Sequence, residues 1–576
     1  MAQYDALFEP LRIKDLVIRN RFLSTSHQPA YNEGGRPSER YIRYQIEKAK
    51  GGVGMAQCGG ATCVAPENSF YYGQLDATTD AIIPHLRDLS ERLHEQGAVC
   101  TIQLAHGGRR ERWDLANWIA AVAPSPVREP VHKSFPREME DWDIERVIHA
   151  FARAAWRCRE GGFDGVEVSC QAGTLIQGFW SPDTNRRTDE YGGDLDDRMR
   201  FGLDVFRAVR EAVGGDYVVG MRMPGDELIK EGLSPDDCRR IAATYAGSGL
   251  IDFVSVVGGI GKDHLNSAKL WPSLWLPNAA YLHLSSGIKA EIDIPVFHAT
   301  RITDPVTAAR AVEEGHLDMV GMTRAFIADP HFARKLREGR EDDIRLCTGA
   351  SYCLDTVLSG IGTKCIQNAA TGREAVMPQI VPRAEGAKRR VVVAGAGPAG
   401  LEAARVSAER GHEVVLFERA GRVGGQVHYA TKLGWRESIA GVHQWLEKQV
   451  RKQGVDIRLG TEATAEAVLA ENPDIVVVAT GGVPDLDWID GWEHCVSTWD
   501  VLSGAVAVGA DVLVYDGTGQ HAAVSCAEEL AAKGRQVRLV TPDTTLAMDL
   551  PYGDRVIFQK RFYEKEIPVI VDLQLT

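Results

Sequence analysis

Residues 143–170, DIERVIHAFARAAWRCREGGFDGVEVSC, join an amphipathic stretch to a short run of β-forming residues. Apolar side chains recur with helical spacing over 143–160, and the run at 165–170 has the valine-rich composition of a buried strand. A helix that leads directly into a strand is the repeating unit of α/β proteins. The fold class therefore depends on how often this unit recurs along the chain.

The unit recurs eight times in the first 340 residues. The β-rich runs are 21–26 (RFLSTS), 53–58 (VGMAQC), 98–104 (AVCTIQL), 165–170 (GVEVSC), 217–223 (YVVGMRM), 253–258 (FVSVVG), 294–299 (IPVFHA) and 319–324 (MVGMTR). Amphipathic stretches such as 303–315 separate them. Eight alternating units in about 300 residues predict an α/β fold with an N-terminal TIM (β/α)8 barrel over 1–340. The segment 11–20 predicts a hairpin that closes the barrel floor.

Length and composition limit the class of protein. A chain of 576 residues is too long for one core, so two or three domains are expected. A net charge of −14 argues against nucleic acid and anionic membranes as partners. The start lacks a basic and apolar leader, and no run approaches the roughly 20 apolar residues of a spanning helix. Eleven cysteines without framework spacing suit a reducing cytoplasm, which is the predicted location.

Polar residues follow several of the predicted strands, where the chemistry of such barrels is located. A glycine turn after the eighth strand, leading into a helix, is typical of a phosphate site. Together these residues predict one ligand with a ring and a phosphate. They are Ser26, His27, Gln103, Arg222, Arg301, Gly321, Thr323 and Arg324.

Three segments carry a resemblance to a known family. They are Leu7-Phe-Glu-Pro10, Ile18-Arg-Asn-Arg-Phe22, and Pro182-Asp-Thr-Asn-Arg-Arg-Thr-Asp-Glu-Tyr-Gly-Gly193 with Arg198 and Arg200-Phe201. The chain resembles the multidomain branch of the old yellow enzyme family, which includes trimethylamine dehydrogenase, 2,4-dienoyl-CoA reductase and the dimethylglycine or N-methylproline demethylases. The resemblance implies that the barrel binds FMN. It places Gln103 and Arg222 at the isoalloxazine, and Arg301 with residues 321–324 at the phosphate.

Departures from the family pattern bear on the reaction. Gln28 stands where trimethylamine dehydrogenase has the cysteine that binds FMN covalently, so non-covalent FMN is expected. Ala172 and Thr174 occupy the positions of the His/Asn pair and the proton-donating tyrosine of ene-reducing members. Alkene reduction needs a proton donor matched to the carbanion, whereas amine oxidation does not. The pattern therefore favours amine oxidation. The catalytic residue stays unassigned, with Ser169, Thr174, Trp180 and His264 as pocket candidates.

Aromatic and basic residues on loops near the barrel mouth are candidates for binding a cationic or zwitterionic amine. The aromatic residues are Tyr71, Tyr72, Trp113, Trp180, Trp271, Trp275 and Tyr281, and the basic ones are Arg109, Arg110 and Arg112. Packing and surface charge are the alternative interpretation of each.

A cysteine loop follows the barrel, within a predicted segment 341–387 that includes a linker. It contains Cys347, Cys353 and Cys365, and closely spaced cysteines in a cysteine-poor chain indicate a metal site. Relatives in the resembling family carry four cysteines here, and this chain has Ala350 at the second position. Three thiolates can hold a 3Fe-4S cluster, or a 4Fe-4S cluster completed by water or by an oxygen of Tyr352 or Asp355. Zinc with another ligand, and three unliganded cysteines, are the alternatives.

A dinucleotide fingerprint opens the predicted domain 388–505. The stretch Val391-Val-Val-Ala-Gly395-Ala-Gly397-Pro-Ala-Gly400 follows an apolar strand and opens a helix, and Glu418 ends the next strand. Glycines admit a pyrophosphate to the helix N-terminus, and the acid binds ribose hydroxyls. Gly424-Gly425-Gln426 and Val478-Ala-Thr-Gly481 add marks of a disulfide-reductase-like flavin fold. FAD or ADP is the predicted ligand.

A second fingerprint, degenerate, lies in the predicted domain 506–576. Asp516 sits where phosphates would disfavour negative charge, and the following strand ends in Thr541 rather than an acid or an arginine. We expect a vestigial element rather than a working NAD(P)H site. The chain stops short of a Gly-Asp segment found in relatives, so truncation is expected or the domain is incomplete, and the choice between FAD and ADP stays open.

These observations predict a flavin-dependent N-demethylase of a small N-methyl amino acid or amine. Hydride would pass to FMN, and electrons would leave through an iron–sulfur cluster to an external acceptor such as an electron-transfer flavoprotein or a partner subunit. An oligomer is expected. The alternatives are an NAD(P)H-dependent ene or 2,4-dienoyl-CoA reductase, and a non-catalytic electron-transfer subunit.

Overall fold

The structure is a computed structural model that describes residues 3–68, 72–112 and 118–575. Its strands are β1 (Leu11–Ile13), β2 (Leu16–Ile18), β3 (Phe22–Ser24), β4 (Met55–Cys63), β5 (Val99–Ala105), β6 (Val122–Ala123), β7 (Arg137–Glu138), β8 (Gly165–Ser169), β9 (Val218–Pro224), β10 (Phe253–Val257), β11 (Val296–His298), β12 (Met319–Gly321), β13 (Arg390–Ala394), β14 (Glu413–Glu418), β15 (Asp456–Leu459), β16 (Ile475–Val478), β17 (Asp511–Tyr515), β18 (Gln536–Val540) and β19 (Val569–Ile570).

Helices alternate with most of these strands. They are α1 (Glu39–Lys50), α2 (Ile83–His94), α3 (Asp141–Glu160), α4 (Leu175–Trp180), α5 (Leu195–Val213), α6 (Pro235–Gly247), α7 (His264–Leu270), α8 (Leu282–Lys289), α9 (Pro305–Glu313), α10 (Thr323–Ala328), α11 (Phe332–Arg337), α12 (Tyr352–Leu358), α13 (Pro398–Glu409), α14 (Val427–Ala430), α15 (Gly441–Lys452), α16 (Ala465–Ala470), α17 (Thr498–Ser503), α18 (His521–Ala532) and α19 (Tyr552–Glu564). Within the described ranges, every helix is too short or too polar to cross a membrane.

A closed parallel barrel forms the N-terminal part, in the order β10-β11-β12-β3-β4-β5-β8-β9. Each of its strands overlaps one of the eight predicted runs, so the predicted barrel is confirmed. The predicted hairpin is also present, because β1 and β2 pair antiparallel with Leu11 opposite Ile18. Ile13 and Ile18 pack with Met55 and Val99 near the starts of barrel strands. The hairpin thus closes the end of the barrel opposite the carboxyl ends of the strands.

Local sequence signals set several helix starts. The Asp194 side chain accepts hydrogen bonds from the N–H groups of Asp196 and Asp197 at the start of α5. Ser234 and Asp237 form a reciprocal capping box at the start of α6. Such caps satisfy N–H groups that have no partner within the helix.

The described chain divides into two compact units. The first comprises residues 1–272, 277–347 and 352–377, and the second comprises 273–276, 348–351 and 378–576. The second unit contains a four-stranded parallel sheet, β15-β14-β13-β16, and a three-stranded parallel sheet, β17-β18-β19. The predicted segment 341–387 contributes residues to each unit.

Candidate functional site

A large cavity opens at the carboxyl ends of the barrel strands in the first unit. The empty space in it, including its open mouth, is about 1330 Å³. All eight residues predicted for FMN line it: Ser26, His27, Gln103, Arg222, Arg301, Gly321, Thr323 and Arg324. The structure therefore brings the residues predicted to bind one ligand to the wall of one cavity.

A charged layer lies beneath the cavity. The Gln103 side chain donates to Glu167 Oε1 at 2.6 Å, and Arg222 Nη1 lies 4.0 Å from the same oxygen. Burial raises the pKa of Glu167, and the positive charge of Arg222 opposes that rise. Burial likewise lowers the pKa of Arg222. The layer fixes a guanidinium at the cavity wall.

Several buried polar atoms on the wall have no hydrogen-bond partner in the structure. Arg222 Nη1, Ser26 Oγ and Gln28 Nε2 are in this group. Buried donors and acceptors are almost always paired in folded proteins, so these atoms indicate a polar ligand. A flavin ring, with carbonyl and ring-nitrogen acceptors, matches this donor set.

His27 contributes to the wall with both ring nitrogens occupied elsewhere. Its Nδ1 lies 2.8 Å from the Thr25 carbonyl, and its Nε2 lies 2.7 Å from the Tyr44 hydroxyl. Burial and the charge of Lys48 hold the pKa of His27 well below its ordinary value. His27 is therefore a neutral wall residue, not an acid that faces the cavity.

The predicted phosphate end is formed by the turn after β12. A Cβ on Gly321 would lie 2.5 Å from Ala299 Cβ and 2.7 Å from Thr25 Cγ2, so a side chain does not fit there. The Thr323 hydroxyl forms a hydrogen bond with that of Thr25. Arg324 donates to the Pro272 carbonyl at 2.6 Å, which holds its guanidinium against the wall.

The loop after β8 forms another side of the cavity. Ser169, Ala172 and Thr174 all line it. Ala172 has a φ of 62°, a left-handed conformation that is uncommon for alanine. The Thr174 hydroxyl donates to the Ser169 carbonyl at 3.0 Å, so its proton is committed to the backbone.

Two of the pocket candidates lie away from the cavity. Trp180 is fully buried, and its indole N–H donates to the Tyr245 hydroxyl at 3.1 Å. His264 is the exposed first residue of α7. Neither residue lines the cavity wall.

The predicted aromatic set is dispersed. Only Trp271 lines the cavity among those that the structure describes. Tyr281 is buried and donates to the Lys269 carbonyl, Tyr72 is exposed, and Trp275 belongs to the second unit. Tyr71 and Trp113 lie outside the described residues.

The three predicted basic residues occupy different surroundings. Arg110 is buried, and its Nη1 donates to the Ala172 carbonyl at 2.5 Å. Its guanidinium lies 5.6 Å from the centre of the Trp271 ring. Arg112 lies over the Tyr72 ring at 5.1 Å. Arg109 is buried, and its Nε and Nη2 have no hydrogen-bond partner.

The sequence did not single out two buried groups near the cavity. Glu167 is an acid in the middle of an otherwise apolar strand, a pattern that could have revealed it. Lys48 is fully buried in α1, and its Nζ lies 3.3 Å from His27 Nε2. Burial lowers the pKa of Lys48 to about 7. No sequence pattern distinguishes Lys48 from the exposed Lys50 of the same helix.

Cys347, Cys353 and Cys365 all belong to the first unit and are half-buried. Cys353 lines the cavity. Burial and the neighbouring thiols of Cys347 and Cys365 raise the pKa of Cys353 to about 12, which indicates that the three sulfur atoms are near one another. Among the described residues, the three do not all lie within 4.8 Å of each other. Thiolates gathered in one loop are ligands of zinc and of iron–sulfur clusters alike.

The first dinucleotide fingerprint forms a tight strand–turn–helix in the second unit. A Cβ on Gly400 would lie 1.8 Å from the Gly395 carbonyl oxygen, and one on Gly395 would lie 2.5 Å from the Ala479 oxygen. Glu418 ends β14, and its carboxylate accepts a hydrogen bond from the Ala396 N–H at 2.8 Å. The acid is thus positioned beside the glycine loop.

The other predicted dinucleotide residues meet the same loop. A Cβ on Gly425 would lie 3.3 Å from Gly397 Cα. The Gln426 side chain donates to the Gly482 carbonyl at 3.4 Å, next to Gly481. The fold therefore brings together all seven residues predicted for FAD or ADP.

In the loop of the second fingerprint, the Asp516 side chain accepts hydrogen bonds from backbone N–H groups. Asp516 is buried, and its Oδ1 accepts hydrogen bonds from the N–H groups of Thr518 and Gly519. These are loop N–H groups of the kind that would bind phosphate. Burial raises the pKa of Asp516. In this loop the aspartate accepts hydrogen bonds from two of these N–H groups, and a vestigial element stays a prediction.

Comparison with known proteins identifies the family. The pattern of the NADH:flavin oxidoreductase / NADH oxidase family matches residues 6–343, more than half of the chain. The chain belongs to this family. A pyridine nucleotide-disulphide oxidoreductase pattern matches residues 334–490. The resemblance drawn from the sequence is confirmed, and the protein is a flavin-dependent oxidoreductase.

Individual relatives match over nearly the whole chain. N,N-dimethylglycine/sarcosine dehydrogenase of Chromohalobacter salexigens is 45% identical over 99% of this chain and 84% of its own length. A probable N-methylproline demethylase of Rhizobium meliloti is 43% identical over the same shares. The solved structure of 2-naphthoyl-CoA reductase with 2-naphthoyl-CoA has a TM-score of 0.92 at 29% identity, covering 99% of this chain and 88% of the other.

For this family member, two glycine variants of the dinucleotide loop should behave differently. Gly400→Ala should lower stability by about 1–3 kcal/mol and remove bound dinucleotide, because its Cβ would overlap the Gly395 oxygen. Gly397→Ala should retain stability, since no atom lies within 4 Å of its Cβ, but should lose dinucleotide because the methyl group blocks the pyrophosphate. Thermal unfolding and adenine-nucleotide content measure both. Full dinucleotide content in Gly397→Ala would contradict the assignment.

Proposed function

We propose that this enzyme oxidatively removes an N-methyl group from a small N-methyl amino acid or amine of the dimethylglycine or N-methylproline type. The N-methyl carbon loses two electrons and a proton as hydride, and water then hydrolyses the iminium. The products are formaldehyde, the demethylated amine and a reduced acceptor. FMN, when bound in the barrel cavity, supplies the two-electron acceptor.

The observation that carries the proposal is the chemistry of the cavity wall around Thr174. Reduction of an activated alkene requires an acid that delivers a proton to carbon. The described wall residues include no tyrosine and no carboxylic acid, and the Thr174 hydroxyl is committed to the Ser169 carbonyl. Amine oxidation needs no such donor, because the nitrogen lone pair drives hydride loss.

The named relatives support the same conclusion. The dehydrogenase from C. salexigens and the probable demethylase from R. meliloti carry names of N-methyl amino acid chemistry and align over 99% of this chain. The fold alone would not distinguish the reactions, because a CoA-ester reductase shares it at a TM-score of 0.92. The choice therefore rests on the wall residues and on sequence identity.

Substrate recognition is proposed to use Trp271 and the positive charge of Arg110. Trp271 offers an aromatic face to a cationic amine. Arg110 lies behind the wall, where it donates to the Ala172 carbonyl and lies 5.6 Å from the Trp271 ring, with Glu129 3.7 Å from its Nε. A zwitterionic substrate fits both features, because its carboxylate is attracted to the guanidinium. A neutral or purely cationic amine would use only one of them.

We assign the cofactor sites as follows. The eight wall residues from Ser26 to Arg324 hold non-covalent FMN, since Gln28 offers no thiol for attachment. Cys347, Cys353 and Cys365 hold an iron–sulfur cluster, and the glycine loop with Glu418 holds FAD or ADP. An external electron acceptor and an oligomeric assembly complete the proposal.

An anaerobic mixing experiment tests the function. Dimethylglycine or N-methylproline should bleach the FMN absorbance of the purified protein. One formaldehyde should appear for each molecule of demethylated amine. An enone, an enoyl-CoA and NADPH serve as comparison reagents. Bleaching by NADPH, with none by any N-methyl amine, would favour the reductase alternative and refute the proposal.

Thr174→Tyr provides a matched variant for this experiment. A tyrosine phenol at the wall should allow alkene reduction that the parent lacks. The expected increase in the rate of alkene reduction is about 10²–10⁴-fold, the usual contribution of general acid catalysis. Parent protein that reduces alkenes as fast as Thr174→Tyr would show that Thr174 does not decide the reaction.

A further inference from the structure

A second cluster of metal-binding side chains lies outside the cavity. His94 ends α2, Cys100 is the second residue of β5, and Asp164 directly precedes β8. His94 Nε2 lies 2.8 Å from Asp164 Oδ2 and 3.2 Å from Cys100 Sγ. In the described part of the chain, this is the only group of three histidine, cysteine or acidic donors that all lie within 4.8 Å of one another.

The donor set suits a thiophilic divalent metal. One imidazole, one thiolate and one carboxylate are ligands that zinc accepts, and three protein ligands leave a fourth position for water. Zinc bonds of about 2.0–2.3 Å in tetrahedral geometry place donors about 3.4–3.6 Å apart. The observed separations are shorter by a few tenths of an ångström, as expected for hydrogen-bonded donors without an ion. A small outward movement of the His94 ring would satisfy the metal geometry.

The site combines an open side with a buried side. The side chains of His94 and Asp164 are 40% and 24% exposed, whereas Cys100 is fully buried. An ion could therefore enter from solvent and find a thiol on the inner side. The Cys100 N–H also donates to Asp164 Oδ2 at 2.8 Å, which holds the carboxylate in place beside the imidazole and the thiol.

A separate observation marks a missing partner beside the cluster. The Tyr217 hydroxyl is buried and has no hydrogen-bond partner, and the side chain is only 6% exposed. Tyr217 directly precedes β9 and Asp164 directly precedes β8, and these neighbouring strands pair with Val218 opposite Gly165. Burial raises the pKa of Tyr217, and the charges of Cys158, Cys100 and Asp164 add to that rise. A buried hydroxyl without a partner indicates an absent ion or water. A metal-bound water would supply that partner.

Packing alone gives an incomplete account of this cluster. The Asp164 carboxylate anchors β5 through the Cys100 N–H, and that role needs neither an imidazole nor a thiol. The cluster lies at the amino-terminal ends of β5 and β8, the end of the barrel opposite the cavity. Residues there generally affect stability rather than catalysis. A metal at this position would therefore join α2, β5 and β8 without entering the reaction.

We propose that His94, Cys100 and Asp164 form a binding site for a divalent transition metal, with zinc as the ion of best fit. The Cys100 thiol loses its proton to solvent as the sulfur–metal bond forms, and His94 binds through Nε2 as the neutral imidazole. No electron is transferred. The bound ion stabilises the folded barrel, because the unfolded chain does not hold the three ligands together.

Zinc titration of the purified flavoprotein tests the site. Protein stripped with a chelator is titrated calorimetrically with zinc chloride, and retained zinc is counted after desalting. The parent should bind one zinc more per chain than Cys100→Ser or His94→Gln, and should gain thermal stability that the two variants do not gain. Comparing counts by difference removes any zinc taken up by the Cys347–Cys365 loop.

The controls separate the site from misfolding and from the active site. Cys238→Ser alters a thiol that is as buried as Cys100 but lies on α6, so it should bind zinc like the parent. His94→Gln changes an exposed side chain, and its FMN content reports whether the barrel is intact. Equal zinc binding by the parent and by both ligand variants, or no zinc binding by the parent, would overturn the proposal.

Discussion

Replacing Arg222 with methionine is expected to slow reduction of the flavin by the amine substrate by about 10²–10³-fold. The guanidinium lies on the cavity wall, and Nη1 has no hydrogen-bond partner. The N1–C2 edge of a flavin gains negative charge on reduction, and a fixed buried cation stabilises that charge more strongly than water does. Stopped-flow measurement of FMN bleaching under anaerobic conditions gives the rate.

The same substitution also changes the charge beneath the cavity. Glu167 would lose its cationic neighbour at 4.0 Å, and a buried carboxylate without a counter-charge is costly. Methionine at 222 should therefore raise the pKa of Glu167 further and leave it protonated. Neutralisation of Glu167 would limit the loss of stability, so the variant should remain folded.

Arg222→Lys is the matched control for this prediction. It retains the positive charge but loses the planar guanidinium, so the rate should fall less than in Arg222→Met. FMN content is measured in both, and rates are compared per bound flavin. If Arg222→Met binds FMN fully and its flavin is reduced as fast as that of the parent, Arg222 does not face the flavin.

The barrel was predictable because its signal is local. Each strand run is short and largely apolar, and helical stretches separate each run from the next, so the alternation alone indicates eight parallel strands. The wall residues were predictable for a related reason. Side chains at the carboxyl ends of parallel strands face one common space, whatever the details of packing.

The direction of side chains on short helices was not predictable. Trp180 ends the six-residue helix α4, and sequence alone does not state which face of such a helix is buried. The structure turns its indole toward Tyr245 in the core. His264 begins α7 with its side chain exposed. Aromatic residues near a barrel mouth were thus a poor guide to the substrate pocket.

Contacts between distant strands were also beyond the sequence. Gln103 donates a hydrogen bond to Glu167, which lies 64 residues later in the sequence, because β5 and β8 are neighbours in the barrel. Lys48 reaches His27 only because α1 packs against the barrel at that point. Such pairs depend on tertiary packing, and a single sequence contains no period that reveals them.

Replacing any one of Cys347, Cys353 or Cys365 with serine is expected to reduce bound iron and acid-labile sulfide to near zero. Iron–sulfur clusters are usually held by four cysteine thiolates, and this loop supplies three. The loss of one more thiolate should therefore prevent cluster binding. Two remaining thiols are also fewer than the protein ligands that zinc sites normally have, so retention of a single ion is unfavourable. Iron and sulfide analysis of anaerobically purified protein measures the loss.

Cys495→Ser is the matched control, because Cys495 is exposed and lies far along the chain from the loop. It should retain the iron content of the parent. FMN content shows whether each loop variant still folds, which matters most for Cys353 because this residue lines the cavity. If Cys353→Ser keeps the iron content of the parent, the cluster lies elsewhere. If the parent contains zinc and no iron, the loop has a structural role and does not carry electrons.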